Sequence, residues 1–393
     1  MRPLLSILIA TKNRVPYCIQ SVEAILSSLE GDQFEIIIQD NSDSFDLKEH
    51  YVKNLTDPRV KYNYTPPPLS AIDNFNKAVE ASLGEYLILI GDDDAVCKQI
   101  LDIAKWAEEH NFDSVCSRHF FEYIWPDTFF NNMDSTLKIP FVTSAIEKVE
   151  TNLILSSFFK DGAVDYLKKG FPKLYHGLVR RSCMEKIRSI TGHYFGGLSV
   201  DIYSAIALSC IVDSHYLIDI PFTIAGACKD SATTASVKGQ HSGKLNEAPH
   251  FRDIERYEWD QMIPEIYSVE TIWAETALKA ITEMGRYELY QQFNKPLFIV
   301  KNILRNLNHF GYFVNQTFLF IKNSPKRLNL FLTVIYTLFA TLLKAIHNRI
   351  RTNKNKDKYY ITLRNVNTIG EATRFSNSKI NEIDLITFLN RNV

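Results

Sequence analysis

The run Tyr86-Leu87-Ile88-Leu89-Ile90 passes through a single glycine into three consecutive carboxylates, Asp92-Asp93-Asp94. Large apolar residues without alternation predict a strand covered on both faces, as in a parallel sheet flanked by helices. Three acids at the carboxyl end of such a strand cannot stay unpaired without a large desolvation cost. They need a counter-charge, and a divalent cation shared with a phosphorylated ligand would supply it, because hard cations take oxygen ligands. Asp also caps helices and sets turns with no chemistry attached. The triplet therefore takes its meaning from its surroundings.

The first hundred residues supply them. Residues 4–10 predict a buried strand, followed by a polar loop at Thr11-Lys12-Asn13-Arg14. Ile19, Val22, Ile25, Leu26 and Leu29 recur at helical spacing over 16–29, and Gly31 breaks the run. A second strand, Phe34 to Gln39, ends at Asp40-Asn41-Ser42-Asp43, and a third covers Val60 to Tyr64. A helix over 70–83 then leads to the strand that carries the acids. Strands alternating with helices imply βαβ units and a mostly parallel sheet, an α/β fold. Ligands bind outside the carboxyl ends of such strands, where each polar cluster falls.

Further along, the pattern predicts a helix over 101–110, strands over 113–117 and 176–179, and helices over 181–190 and 200–207. Residues 118–175 read as an irregular, substrate-facing insertion, and 226–250 as a long polar loop of the kind that serves as a lid. After 251 the chain turns helical, so the expected division is 1–250, 251–328 and 329–393. Residues 330–346 are the most hydrophobic run, with Arg349, Arg351, Lys354, Lys356 and Lys358 behind it. The run is shorter than the ~20 residues of a bilayer span and contains Lys344. An interfacial helix through 330–351, an ordinary packed helix and a true span all stay open. Residues 356–393 show no motif beyond a strand at Tyr359 to Leu363.

Lys and Arg number 44 against 45 Asp and Glu, a balance that gives no pull toward nucleic acid. The six cysteines are scattered without C-x-x-C spacing, which predicts reduced thiols and a cytoplasmic setting. The apolar run at Leu4 to Ile9 is too short for a signal peptide. If the basic-flanked helix is interfacial, the expected location is the inner face of the membrane.

Five motifs in order resemble family 2 glycosyltransferases of the GT-A fold, over roughly residues 4–235. Ser6-Ile7-Leu8-Ile9-Ala10-Thr11-Lys12-Asn13-Arg14 is similar to the family's opening strand and loop, with Ala10 where Pro is usual. Ile37-Ile38-Gln39-Asp40-Asn41-Ser42 resembles its second-strand motif. Asn74-Phe75-Asn76-Lys77-Ala78, Gly84-Glu85-Tyr86 and Gly91-Asp92-Asp93-Asp94 resemble its helix, strand and D-x-D signature. His176-Gly177-Leu178-Val179-Arg180-Arg181 and Leu198-Ser199-Val200-Asp201-Ile202-Tyr203 are similar to its acceptor half.

The resemblance implies an inverting, metal-dependent transfer of a sugar from a nucleoside diphosphate, in the first instance UDP, to an acceptor hydroxyl. Capsule or O-antigen assembly on a saccharide or lipid-linked saccharide is the implied setting. Thr11, Arg14, Asp40, Asn74 and Asn76 would line the nucleotide, with Asp40 accepting from the base and Asp92 near the ribose beside Asp93. Asp94 would hold Mn²⁺ or Mg²⁺, which neutralises the leaving diphosphate, and His241 is a second candidate ligand. Asp201 corresponds to the general base, although an Asp opening a helix is equally a cap. Ser231-Ala232-Thr233-Thr234 resembles the segment that closes over phosphate, and Arg180 and Arg181 are candidates for phosphate or acceptor. A nucleotidyltransferase or a dehydrogenase would need glycine-rich phosphate loops that 10–16 lacks. A non-catalytic glycan-binding protein on the same fold is the other rival.

Overall fold

The apolar runs become neighbouring strands of one sheet. In the computed structural model, β1 (Leu5–Thr11), β2 (Phe34–Asp40), β3 (Val60–Tyr64) and β4 (Tyr86–Ile90) lie parallel. All residues are described except 1, 55–56, 129–133, 144, 232–233, 236–238, 240, 352–359, 382–384 and 391–393. The sheet continues through β10 (Gly177–Arg180), β6 (Ser114–Ser117), β11 (His215–Ile218) and β9 (Ile146–Lys148), in the order β3-β2-β1-β4-β10-β6-β11-β9. Because β10 runs antiparallel to both β4 and β6, those two strands point the same way.

The unalternating pattern has its expected cause. Ile7, Ile9, Ile36, Ile38, Ile88 and Ile90 face a core shared with α1 (Val15–Ser28) and α4 (Ile100–Glu109). Leu8, Ile37, Leu87 and Leu89 point the other way, toward α3 (Ala71–Glu80), α6 (Arg181–Thr191) and α7 (Val200–Ser209). Period-two geometry thus buries both faces.

Three expectations need correction. The stretch 118–175 is not irregular: it holds β7 (Phe121–Ile124), β8 (Thr136–Pro140), β9 and α5 (Thr151–Lys160). With β5 (Ala95–Val96), β12 (Thr223–Ala227) and β15 (Tyr360–Leu363), β7 and β8 form a second sheet, ordered β15-β8-β7-β12-β5. The loop 226–250 is pinned by β13 (Ser242–Lys244), which pairs with β14 (Ile266–Ser268). These strands are short, and β8 pairs with a strand more than two hundred residues away, so apart from β15 no local periodicity announces them. A helix over Asp46–Asn54 (α2) was likewise not expected.

The helical region begins with α8 (Val269–Glu283), capped by Ser268 and Thr271 and packed into the same core as α7. It continues through α9 (Tyr287–Gln291), α10 (Lys295–Arg305), α11 (Phe310–Asn323) and α12 (Arg327–Arg351). The helix α12 starts before the apolar run, and Arg327–Ile346 is 20 residues with mean hydropathy 1.7, long and apolar enough to cross a membrane by length and composition. The side chains of Arg349 and Arg351, and residues Lys354, Lys356 and Lys358, lie outside what is described. In the tail, α13 (Ile369–Ile380) packs against the first core, and α14 (Leu385–Asn390) follows. All six cysteines are free.

Candidate active site

The acids at the end of β4 are all buried, and protein groups already supply their counter-charges. Thr11 Oγ1 donates to Asp92 Oδ2 at 2.6 Å, and Arg14 Nη1 lies 2.6 Å from Asp92 Oδ1. Arg14 Nη2 lies 3.0 Å from Asp93 Oδ2, which also accepts from the Cys228 backbone N–H at 3.1 Å. Asp94 Oδ2 accepts from Gly91 N–H (2.6 Å) and Tyr175 Oη (3.2 Å), with His176 Nε2 at 3.1 Å. Its other oxygen accepts from Gly226 N–H at 2.7 Å. Arg14 and the His176 ring thus stand where sequence reasoning put a metal ion. Gly226 makes this approach possible: a Cβ there would sit 1.8 Å from the Asp93 carbonyl oxygen.

Burial pushes the Asp92 carboxyl up to about 7, against the pull of Arg14 and with the added push of Asp93. Asp93 is raised for the same reasons, burial first and then the Asp94 charge. Burial would raise Asp94 too, but the His176 charge and the donated hydrogen bonds outweigh it and hold Asp94 below the usual range. Neighbouring carboxylates pushed apart in this way are a mark of functional sites.

Among the described residues, no group of three or more His, Cys, Asp or Glu side chains is arranged to hold a metal ion. His241 is not joined to Asp94; its ring neighbours are His250 and Tyr267, at 6.2 and 6.1 Å between centroids. Asp94 Oδ2 already faces Gly91 N–H, Tyr175 and His176, and Oδ1 accepts from Gly226, so a cation on Asp94 would have to compete with these donors.

The other candidates divide. Asp40 is fully buried and accepts from Ser42 N–H (2.8 Å) and Tyr62 Oη (2.6 Å). Asn74 Nδ2 donates to the Thr11 and Gln39 carbonyls at 3.2 and 3.4 Å, while its Oδ1 is buried without a partner. Thr11, Asn41 and Asn74 line a cavity of about 240 Å³ that Pro249, His250, Arg252 and Asp253 close from the other side. Asn76 is not part of it: its amide holds the backbone of Tyr194 and Phe195. Arg180 and Arg181 bond to Tyr86 Oη and the Gly84 carbonyl, at the amino end of β4 and away from the acids. Thr234 Oγ1 donates to the Cys228 carbonyl at 2.6 Å, and Ala232 and Thr233 lie outside the described residues.

Asp201 sits in the first turn of α7, where it accepts from Tyr166 Oη at 2.7 Å, from Ser199 and from Ile202 N–H. Tyr175 joins it to the acids: its hydroxyl donates to Asp94, and burial with the charges of Asp94, Asp93 and Asp201 pushes its pKa far up. Asp201 thus lies close enough for its charge to act on Tyr175. Sequence reasoning missed Tyr166, Tyr175 and the role of His176. The signal for the last was available, since a histidine opened the strand that pairs antiparallel with β4.

The parallel strands β1 to β4, with three acids at the tip of β4, have the arrangement of the GT-A fold. Residues 6–187 match the Glycosyl transferase family 2 model. WcaA of Escherichia coli (strain K12), named for glycosyl transfer in colanic acid biosynthesis, is 34% identical over 92 residues. That stretch is 23% of this chain and spans about a third (33%) of the relative's length. Among solved structures, S. aureus TarS 1-349 in complex with UDP-GlcNAc is 14% identical with a TM-score of 0.49, over 86% of this chain and 89% of that one. The same protein with UDP is 13% identical with a TM-score of 0.44, over 91% and 93%.

Proposed function

We propose that this protein transfers a sugar from a nucleoside diphosphate sugar, a UDP-sugar in the first instance, to an acceptor hydroxyl in surface-polysaccharide assembly. The observation that carries the reading is Thr11, which lines the cavity at the tips of β1 and β2 and donates to Asp92 of the buried acidic triplet. The nucleoside enters the cavity at the tips of β1 and β2, which Thr11, Asn41 and Asn74 line. Its diphosphate then lies against Asp92 to Asp94, where Arg14 and His176 are the nearest cations. Asp201 takes the proton of the acceptor hydroxyl as its oxygen bonds to the anomeric carbon and the bond to the diphosphate breaks. One displacement inverts the anomeric configuration. The family implies a Mn²⁺ or Mg²⁺ ion that would neutralise the diphosphate.

The colanic acid relative supports a saccharide or lipid-linked saccharide acceptor, and the outward apolar stripe of α12 supports work at the cytoplasmic face of the membrane. The test is donor turnover. Purified protein, supplied with Mn²⁺, should bind and slowly hydrolyse one of a panel of UDP- and GDP-sugars. Neither binding nor hydrolysis across the panel would overturn the reading.

A further inference from the structure

The carboxyl ends of β1, β2, β4, β6 and β11 share one edge of the large sheet. The cavity assigned to the nucleoside lies at the tips of β1 and β2, and the acids lie at the tip of β4. A second cavity, of about 330 Å³, opens farther along the same edge, at the ends of β6 and β11. Its walls include Ser117, Arg118, Phe120, Tyr166, Lys168 and Lys173. Tyr166 is the residue whose hydroxyl donates to Asp201 at 2.7 Å, so this cavity adjoins the group that would accept the proton.

Its charges are unevenly matched. Arg118 is paired with Glu147 and with Asp219 at 3.1 Å, and Lys168 with Asp165 at 3.0 Å. The Lys173 ammonium, 5.3 Å from the centroid of the Phe120 ring, has no hydrogen bond or ion pair among the described residues. Burial pulls its pKa down, opposed by the charges of Cys116 and Asp201. A partly buried cation without a counter-ion is costly to fold around. Asp201, the acid whose charge reaches it, already accepts from Tyr166, Ser199 and Ile202.

We infer that this cavity is the acceptor subsite and that Lys173 selects an acceptor bearing an anionic group, a carboxylate or a phosphate, beside the hydroxyl that receives the sugar. The inference rests on the sugar-transfer reading and adds the acceptor's chemical class to it. A full-length protein saturated with UDP is titrated calorimetrically with two matched pairs: glucuronate against glucose, and glycerol phosphate against glycerol. At least one anion should bind ~10-fold or more tighter than its neutral partner, and which one does so separates carboxylate from phosphate recognition. Lys173→Met should erase that preference, Lys173→Arg should keep it, and UDP affinity should be unchanged in both. Equal binding of both pairs to the wild type, or a preference surviving in Lys173→Met, overturns the assignment. If Lys173→Met does not fold, the wild-type comparison and Lys173→Gln decide it. Loss of UDP binding by the wild type would sink the nucleotide-sugar reading instead.

Discussion

His176 Nε2 lies 3.1 Å from Asp94 Oδ2, so the imidazole occupies the position on this carboxylate where sequence reasoning put a cation. The strand β10 begins one residue later, and the His176 N–H donates to the Leu89 carbonyl at 2.9 Å. Backbone pairing thus carries the ring to the acid. Any ion that binds Asp94 must compete with it.

That competition is measurable. His176→Gln removes the imidazole while keeping a donor, and it should tighten Mn²⁺ binding in the presence of UDP several-fold. Calorimetric titration of both proteins, with an EDTA-treated control for each, reads the difference. An unchanged or weaker Mn²⁺ affinity in the variant would mean that Asp94 is not where the ion binds.

The proton on Asp92 gives the fold a pH dependence with a definite sign. Its carboxyl is raised from 3.8 to about 7, so between these values the native state holds a proton that the unfolded chain has lost. Stability from this group is complete below the lower value and is lost as pH rises through the upper one. Asp92→Asn removes the term. Its melting temperature should therefore gain on the wild type between pH 5 and pH 8, by on the order of 2 °C for each kcal/mol recovered, while nucleotide binding weakens. A melting difference that does not change with pH would show that Asp92 is ionised throughout.

Asp201→Asn should lower kcat by at least ~10²-fold, the usual scale for a general base, and leave the UDP dissociation constant near wild type. Tyr166→Phe tests the same point more gently, since it removes a donor from Asp201 without removing the carboxylate. Wild-type turnover in Asp201→Asn would reassign this residue to capping α7.

Strands β1, β2 and β4 were legible because each is a buried apolar run ending in a polar cluster, a pattern carried within ten residues, whereas β9 and β11 of the same sheet are only three and four residues long. The second sheet was not, because β7 and β8 become strands only through β12 and β15, which arrive late in the chain. The site shows the same division. Asp92, Asp93, Asp94 and Asp201 could be read as a set from strand ends and the family pattern. That Arg14 and His176 neutralise the acids follows from a loop and a strand meeting in space, and that Asn76 holds the 194–195 backbone follows from an acceptor-side loop folding back onto α3.

The cavity proposed for the nucleoside is bridged by an ion pair. Lys12 Nζ and Asp253 Oδ2 are 3.3 Å apart, joining the β1 loop to the Pro249–Phe251 turn that walls the cavity. Both side chains are partly exposed, so the contact is weak and salt-sensitive. Asp253→Asn should speed both association and dissociation of UDP a few-fold in stopped-flow traces, with little change in the equilibrium constant. High salt should do the same to the wild type. Rates indifferent to both would show that the turn does not control entry.

The last expectation concerns α12, whose two sides are both apolar. Leu330 and Val334 rest on the second core, while Leu328, Leu332, Tyr336, Phe339, Leu343 and Ile346 form an outward stripe at spacings of three and four, each more than half exposed. An exposed stripe of that size needs a partner. A span would have to strip Leu330 and Val334 from the core, whereas lying in the interface leaves them in place and wets the basic residues Lys322, Lys326, Arg327 and Lys344. We therefore expect cosedimentation with vesicles that strengthens when an anionic lipid is added and weakens in 0.5 M salt. The triple variant Leu332→Ser, Phe339→Ser, Leu343→Ser should lose vesicle binding by ~10-fold or more, since each apolar side chain contributes up to about 1.5–3 kcal/mol when fully buried. It should still bind UDP, because none of the three touches the catalytic cleft. A wild type that ignores vesicles but sediments as a dimer, with the variant a monomer, would assign the stripe to a second copy of the chain.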